Sequence, residues 1–146
     1  MNNLTIEEVI RTHGVYSCRP IGSSMFPTLR TTRDTVVLRK KEGRLKRYDV
    51  ALYRRPDGTC VLHRVMSVEE ATYTMCGDNQ YNLERNVPED SVLAYLEGFY
   101  RGEKYVSCDS LLHRSYVRFW CASLTLRRVM LAFIHRCGNI KRMIKK

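Results

Sequence analysis

The residues of this sequence that are best suited to covalent chemistry are a serine, a histidine and two carboxylates. Ser24 lies in the turn-rich run GSSMFPTL at positions 22–29, and His63 follows 39 positions later. A serine hydroxyl attacks a carbonyl carbon only when a neighbouring base accepts its proton, and a neutral imidazole is a common base near pH 7. A carboxylate can orient that imidazole, and Asp78 and Glu84 are the candidates for this role. The residue types therefore indicate a nucleophilic site, provided that the fold brings them together.

Each of these residues also has an ordinary structural interpretation. Serine, glycine and proline are common in turns, so the run at 22–29 taken alone indicates a bent, exposed loop. In a strand, His63 would share one face with Val61 and Val65. This pattern is typical of a histidine packed on one face of a sheet. The Gly-Asp-Asn sequence at 77–79 is a common turn composition. The chemical interpretation therefore depends on the three features occurring together.

The pattern of the first 110 residues predicts a short helix followed by a mainly β fold. Thr5 begins a capping-box sequence, and Gly14 is a natural end for a helix of about two turns. Short runs of β-type composition follow at positions 15–20, 34–40, 48–54, 59–66 and 71–76. In this arrangement Ser24 follows the first strand, His63 lies within the fourth, and Asp78 comes after the fifth.

Turn signals join these strands into hairpins. The sequence RPDG at 55–58 separates the third and fourth runs and predicts a hairpin whose second arm carries His63. A second hairpin is predicted from 92–101 and 104–107, and a further turn is predicted at 86–90.

Charge divides the chain near residue 110. The 146 residues have a formal net charge of +10, and a chain of this length suits one hydrophobic core. Residues 111–146 hold 9 of the 25 Lys and Arg residues and no acidic residue. The Leu, Arg, Met and Ala content of this part predicts an amphipathic helix. We therefore divide the sequence into 1–110, which carries the candidate site, and 111–146, a basic helical tail.

Composition excludes several other kinds of site and segment. The six cysteines include no C-x-x-C pair, and no His or Cys pair has the spacing of metal ligands, so we expect neither a metal nor another cofactor. Residues 1–10 contain Glu7 and Glu8 and lack the basic and apolar regions of a signal peptide. There is no uncharged apolar run of about 18 residues, as a transmembrane helix needs. The sequence thus predicts a cytoplasmic chain or one bound peripherally to a membrane.

Four short motifs, taken in order, resemble the conserved boxes of the S24/S26 peptidases, the type I signal peptidase superfamily. They are GSSMFPTL at 22–29, YDV at 48–50, LHRV at 62–65 and GDN at 77–79. The resemblance implies that residues 1–110 form a signal-peptidase-like catalytic domain with a small, coiled, partly open antiparallel β-barrel. The match is closer to the Ser-His branch, which includes the endoplasmic-reticulum and archaeal enzymes, because a histidine stands where most bacterial members have a lysine.

This resemblance also implies roles for the candidate residues. Ser24, the serine directly before Met25, is the implied nucleophile, and His63 is the implied general base. In the Ser-His branch an acidic residue in or shortly after the Gly-Asp-Asn box completes the site. Asp78 and Glu84 both meet that description, so the choice between them stays open.

The residues beside the implied nucleophile are expected to form the oxyanion and substrate site. The Ser24 N–H and a donor near Gly22 would hold the oxyanion. Gly22 itself lacks the hydroxyl that some relatives place two residues before the nucleophile. Ser23 and Met25 complete this set. In such enzymes a substrate peptide adds as a strand beside the nucleophile, so the expected partner is a peptide or protein precursor.

Three functions remain open from the sequence. The first is a serine endopeptidase that cleaves a leader, signal or precursor peptide. The second is a self-cleaving regulator of the repressor type, for which the sequence displays neither an upstream DNA-binding domain nor an obvious scissile loop. The third is a catalytically silent module whose basic tail binds a membrane or nucleic acid. For residues 111–146 we weigh membrane contact against packing on the β domain, and we expect no nucleic-acid partner.

Overall fold

The structure is a computed structural model that describes residues 4–144, with side chains described up to residue 138. Within this range the chain forms three α-helices, eight β-strands and a short 3-10 helix at Glu89–Ser91. The helices are α1 (Ile6–His13), α2 (Leu111–Cys121) and α3 (Leu124–Ile144). The strands are β1 (Val15–Cys18), β2 (Asp34–Lys40), β3 (Val50–Arg54), β4 (Cys60–Val68), β5 (Thr72–Cys76), β6 (Glu84–Pro88), β7 (Val92–Arg101) and β8 (Lys104–Ser107).

The described strands belong to one antiparallel sheet. Their order is β1-β2-β7-β3-β4-β5-β6, and β8 pairs with the C-terminal part of β7. The sheet ends at β1 and at β6, so within the described residues it is not a closed barrel. The predicted mainly antiparallel β fold with a short N-terminal helix is confirmed. The tail forms two helices rather than one, because Ser123 interrupts the run and its hydroxyl accepts the Leu126 N–H at the start of α3.

The local signals at the first helix act as the sequence predicts. The Thr5 hydroxyl accepts the Glu8 N–H, and the Glu8 carboxylate accepts the Thr5 N–H, which completes a capping box. Gly14 ends α1 with a φ of 73°, a left-handed conformation that glycine adopts without strain. The helix therefore begins and ends at the residues that its caps define.

The prediction of a turn at 86–90 is wrong for most of that segment. β6 occupies Glu84–Pro88 and pairs with β5, and the 3-10 helix follows it. Asn86 has a φ of 57°, which asparagine tolerates better than most residues. The β5–β6 pairing also shifts register between Tyr73 and Met75. Residues that are common in turns thus occur inside an irregular edge strand, because pairing with β5 provides hydrogen-bond partners for the backbone of this strand.

The β3–β4 hairpin positions His63. Its register pairs Ala51 with His63 and Tyr53 with Val61. Paired residues point to the same face of an antiparallel sheet, and so do residues two apart on one strand. Tyr53 and His63 are therefore diagonal neighbours on one face.

Three groups of buried side chains hold the fold together. Ile10 of α1 packs with strand residues that include Val36, Leu38 and Phe99. A second group lies mainly on β3, β4 and β5 and includes Tyr53 and Val65. The third joins the sheet to the two C-terminal helices; its buried members are Met66, Cys76, Val117, Trp120, Cys121 and Leu131. The helices of the basic tail thus share a core with β4 and β5.

In the described part of the chain, no helix is both long and apolar enough to cross a bilayer. All six cysteines are free thiols.

Candidate active site

Ser24 and His63 line the same groove, which has a volume of about 270 Å³. One wall is the Ser24 loop, defined as residues 19–33 between β1 and β2. The other wall is the N-terminal half of β4, Cys60–His63, with Arg55 beside it. Ser24 is half-buried, whereas His63 is only 4% exposed. In the described chain no hydrogen bond joins the two residues, so the structure brings them to one groove without linking them directly.

A second groove is larger but chemically different. Its volume is about 500 Å³, and it lies beside Tyr48, Asp49 and α2. Basic and acidic side chains both line it, and it contains neither Ser24 nor His63. We therefore identify the smaller groove as the candidate site, because it contains Ser24 and His63.

The imidazole of His63 is held through Tyr53. The His63 Nδ1 atom lies 3.2 Å from the Tyr53 hydroxyl oxygen, and that hydroxyl donates to Glu84 Oε2 at 2.6 Å. A tyrosine hydroxyl has one proton to donate, so its oxygen accepts from His63 Nδ1–H. The network assigns the proton to Nδ1 and leaves the lone pair on Nε2, which is the form that a general base needs.

Glu84 is kept charged by an arginine. Arg55 donates to Glu84 through Nε at 3.0 Å and through Nη2 at 2.6 Å, which is a bidentate pair. These bonds lower the pKa of the Glu84 carboxyl below its ordinary value. Burial and the bond to Glu84 raise the pKa of Tyr53, so its hydroxyl keeps its proton at neutral pH. Glu84 Oε2 itself lies 4.0 Å from His63 Nδ1.

His63 is neutral at physiological pH. Burial, followed by the positive charge of Arg55, lowers the pKa of its imidazole to about 4. Both causes disfavour the protonated form, since it would place a second positive charge in a buried site. The imidazole is therefore unprotonated at Nε2 over the whole neutral range.

The Gly77-Asp78-Asn79 turn supports the backbone of Ser24. The Asn79 N–H donates to the Ser24 carbonyl oxygen at 2.8 Å. A β-carbon at Gly77 would lie 2.5 Å from the same oxygen, which is closer than real β-carbons approach. Glycine is thus required at this position because two backbone segments meet there.

Asp78 is a fully buried anchor of this turn. Its two carboxylate oxygens accept from Arg64 Nε at 2.8 Å and Arg64 Nη2 at 2.6 Å, and the Thr28 hydroxyl also donates to it. Although burial opposes the charge, the Arg64 guanidinium holds the pKa of Asp78 below its ordinary value. No hydrogen bond joins Asp78 to His63 in the described chain. Of the two candidate carboxylates, the structure therefore brings Glu84 to the Nδ1 side of His63, and it brings Asp78 to the Ser24 loop.

The other three predicted site residues have different surroundings. Gly22 and Met25 line the groove, but the Met25 side chain is buried in the core around Ile10. The Gly22 carbonyl accepts from the Thr31 hydroxyl. Ser23 is exposed, and its carbonyl accepts the Phe26 N–H of the turn. Met25 thus anchors the loop, while Gly22 forms part of the groove wall.

Four residues that contact the predicted site do not appear among the sequence-predicted ones: Thr28, Tyr53, Arg55 and Arg64. Tyr53 could have been found from the sequence. The hairpin turn at 55–58 sets the register that makes Tyr53 a diagonal neighbour of His63. The pairing of Arg64 with Asp78 depends on how β4 meets the following turn, which no local pattern shows. Within the described residues, no cluster of three or more His, Cys, Asp or Glu side chains could hold a metal ion.

Comparisons of this chain with protein-family models, curated proteins and solved structures found no match. The interpretation of the groove therefore rests on its own geometry and on the order of the sequence motifs.

Proposed function

We propose that this protein is a serine endopeptidase of the signal-peptidase type, which cleaves a leader, signal or precursor peptide. The observation that carries the proposal is that Ser24 and a neutral His63 line one groove, with Nδ1 of His63 held by Tyr53. Base-assisted attack by a hydroxyl needs a nucleophile and a neutral base in one site, and the groove supplies both residue types. We propose the partly open barrel of that superfamily as the finer description of this antiparallel sheet, whose two end strands do not pair within the described residues.

In the proposed reaction His63 acts first as a base and then as an acid. Nε2 accepts the Ser24 proton while Oγ forms a bond to the peptide carbonyl carbon. The tetrahedral intermediate then breaks its C–N bond, and the protonated imidazole gives that proton to the leaving amine. A water molecule, deprotonated by the same nitrogen, then attacks the acyl-enzyme ester. The bond between the acyl carbon and Ser24 Oγ breaks, the imidazolium returns the proton to Oγ, and the carboxylate product leaves. The Tyr53–Glu84 pair stabilises the imidazolium at each step.

Backbone groups of the Ser24 loop would hold the oxyanion. The Ser24 N–H has no acceptor among the described residues, so it can donate to a developing negative charge. Gly22 itself could supply a second donor only through its backbone N–H, because glycine has no side chain. The Asn79 bond to the Ser24 carbonyl fixes the orientation of this peptide unit.

A peptide substrate would lie along the free edge of β4. β5 pairs with β4 only from Arg64 onward, so Cys60–His63 has a neighbour on one side only within the described chain. The same residues line the groove, opposite Pro20, Ile21 and Gly22. An extended peptide placed between these walls would gain backbone hydrogen bonds and would present its scissile carbonyl beside Ser24.

The proposal is tested by digestion of a peptide library with the full chain, followed by mass spectrometry of the products. Wild-type protein is expected to cut at a defined set of sites, and Ser24→Ala is expected to lose every one of these cuts. Ser23→Ala is the matched control, because Ser23, although predicted beside the nucleophile, is exposed and does not line the groove. Cleavage that survives in Ser24→Ala would overturn the proposal. Two fragments formed by the purified protein alone would instead support the self-cleaving regulator.

A further inference from the structure

The two C-terminal helices each expose an apolar stripe beside the face that packs on the sheet. In α2 the side chains of Leu112 and Phe119 are 87% and 58% exposed. In α3 the side chains of Val129 and Phe133 are 63% and 69% exposed, and Leu126 precedes them on the same face. The spacings i, i+3 and i+7 place such residues along one side of a helix. These five residues are called the exposed stripes below.

The exposed stripes are separate from the residues that hold the helices in place. α2 packs through Val117, Trp120 and Cys121, and α3 packs through Arg127 and Leu131, all of which are buried. Packing on the sheet therefore accounts for one face of each helix and leaves the stripes unexplained. Several large apolar side chains exposed side by side on a water-facing helix indicate an interaction surface.

The positive charge of the two helices indicates which kind of partner the exposed stripes would bind. Residues 111–146 contain no acidic residue, and Arg114, Arg118 and Arg136 are exposed. None of these three arginines forms an ion pair with a described residue. Helices that expose bulky apolar side chains and carry only positive charge are the type that lies in the interface of an anionic bilayer. Each basic side chain near such a surface is attracted by about 1 kcal/mol.

We infer that the exposed stripes and these arginines form a docking surface for anionic lipid. The protein would bind peripherally, with the apolar side chains entering the headgroup region and the arginines contacting lipid phosphates. This inference does not depend on the proposed peptidase activity.

The test measures co-sedimentation of the full chain with vesicles of phosphatidylcholine alone and of phosphatidylcholine mixed with phosphatidylglycerol. Binding is expected only to the mixed vesicles and should weaken as ionic strength rises. Leu112→Ser combined with Phe133→Ser should weaken binding about tenfold or more, because each side chain would lose apolar burial. Arg114→Gln with Arg118→Gln and Arg136→Gln should weaken it to a similar degree. Leu4→Ser with Val68→Ser, which removes exposed apolar side chains outside the two helices, is the matched control.

Point variants are used because removal of both helices would also uncover the core shared with β4 and β5. Circular dichroism confirms that each variant is folded, and cleavage of a soluble peptide is measured separately, so a failure of docking is distinguishable from a failure of the peptidase proposal. Equal binding to both vesicle types, or full binding by the stripe variant, would overturn the inference. A dimer in solution that dissociates in the stripe variant would also overturn it, because a second copy would then cover the stripes. Preferential binding to an oligonucleotide would assign the arginines to a different partner.

Discussion

Tyr53 is the residue on which the chemical state of His63 depends most directly. Its hydroxyl lies between the imidazole and Glu84, 3.2 Å from the first and 2.6 Å from the second. Because the hydroxyl donates to the carboxylate, it can only accept from the imidazole. The Tyr53 hydroxyl oxygen thus favours the His63 tautomer with its proton on Nδ1. The same hydroxyl links the imidazole to the Glu84 carboxylate through two hydrogen bonds.

Tyr53→Phe is therefore expected to reduce kcat by about tenfold to a hundredfold, since a general base held in the wrong tautomer loses part of its contribution. KM should change little, because the Tyr53 side chain is buried away from a bound peptide. Steady-state kinetics on a library-derived peptide measures both constants. Tyr73→Phe is the control, since it removes another buried hydroxyl, one that accepts the Leu45 N–H. An unchanged kcat in Tyr53→Phe would contradict this role.

Arg55, together with burial, extends to lower pH the range in which His63 is a base. Its positive charge is the second cause, after burial, of the low pKa of the imidazole, about 4 against an ordinary value of 6.5. Catalysis needs the neutral ring, so activity is lost as the pH falls through this pKa. Wild-type kcat/KM should consequently remain high at pH values well below 6.5.

Arg55→Gln should move the acidic limb of the kcat/KM profile to higher pH. Removal of the positive charge leaves the Glu84 carboxylate unopposed, and that carboxylate raises the pKa of His63. A pH–rate profile from kcat/KM gives the shift. Arg54→Gln serves as the control, because this neighbouring arginine pairs with Glu7 of α1. A limb that does not move, or moves to lower pH, would show that Arg55 does not act on His63.

The turn after β5 is the element that gives the Ser24 loop its shape. Asn79 bonds the Ser24 carbonyl, Asp78 bonds Thr28, and Gly77 allows the two segments to touch. The cis peptide bond between Phe26 and Pro27 belongs to the same loop. The turn thus holds the loop, which contains no regular secondary structure between β1 and β2.

Gly77→Ala should displace Ser24, because the new β-carbon would overlap its carbonyl oxygen at 2.5 Å. The obstacle is backbone, which cannot rotate away, so we expect kcat/KM to fall by about a hundredfold, the size of effect that misplacement of a reacting group by about 1 Å produces. The same kinetic assay measures it. Gly138→Ala is the control, since nothing lies within 4 Å of a β-carbon there. Wild-type turnover in Gly77→Ala would mean that the contact does not fix the nucleophile.

Much of this element-level organisation could be predicted from the sequence. The bounds of β2, β7 and β8, the capping box of α1 and the β3–β4 hairpin all follow from local patterns. The edge strand β6 could not, because its turn-type residues become a strand only through pairing with β5. The sequence alone also could not separate Asp78 from Glu84 as the residue that orients His63, because the partner of Asp78 is set by a contact between distant parts of the chain. Its partner Arg64 is a neighbour of His63 in sequence, but alternation places it on the opposite face of β4.

At the scale of the molecule, the C-terminal helices hold the turn that supports the site. The Trp120 Nε1 donates to the Asp78 carbonyl oxygen at 3.0 Å. The buried Arg127 donates to the carbonyl oxygens of Gly77 and Gln80 at 3.3 Å each. The segment predicted as a basic helical tail thereby contacts the backbone of the Gly77-Asp78-Asn79 turn. The core shared with β4 and β5 and these bonds connect the helices to the groove.

Asp78 is the point where these parts meet, so Asp78→Asn should destabilise the whole fold. Removal of its charge leaves the fully buried Arg64 without a counter-ion. Breaking a buried pair in this way typically costs about 3–5 kcal/mol of unfolding free energy. Urea denaturation measures the loss, and the exposed Asp90→Asn is the control. A variant with wild-type stability but no turnover would instead assign Asp78 to the chemistry.

The central claim is that Ser24 and His63 act as one catalytic unit, and a double-mutant cycle of peptide turnover tests it most directly. Residues that act as a unit have non-additive effects. Ser24→Ala, His63→Ala and the double variant are therefore expected to fall to the same residual rate, while Ser23→Ala keeps the wild-type rate. Near-wild-type turnover in either single variant, or a double variant whose loss is the product of the two single losses, would contradict the account.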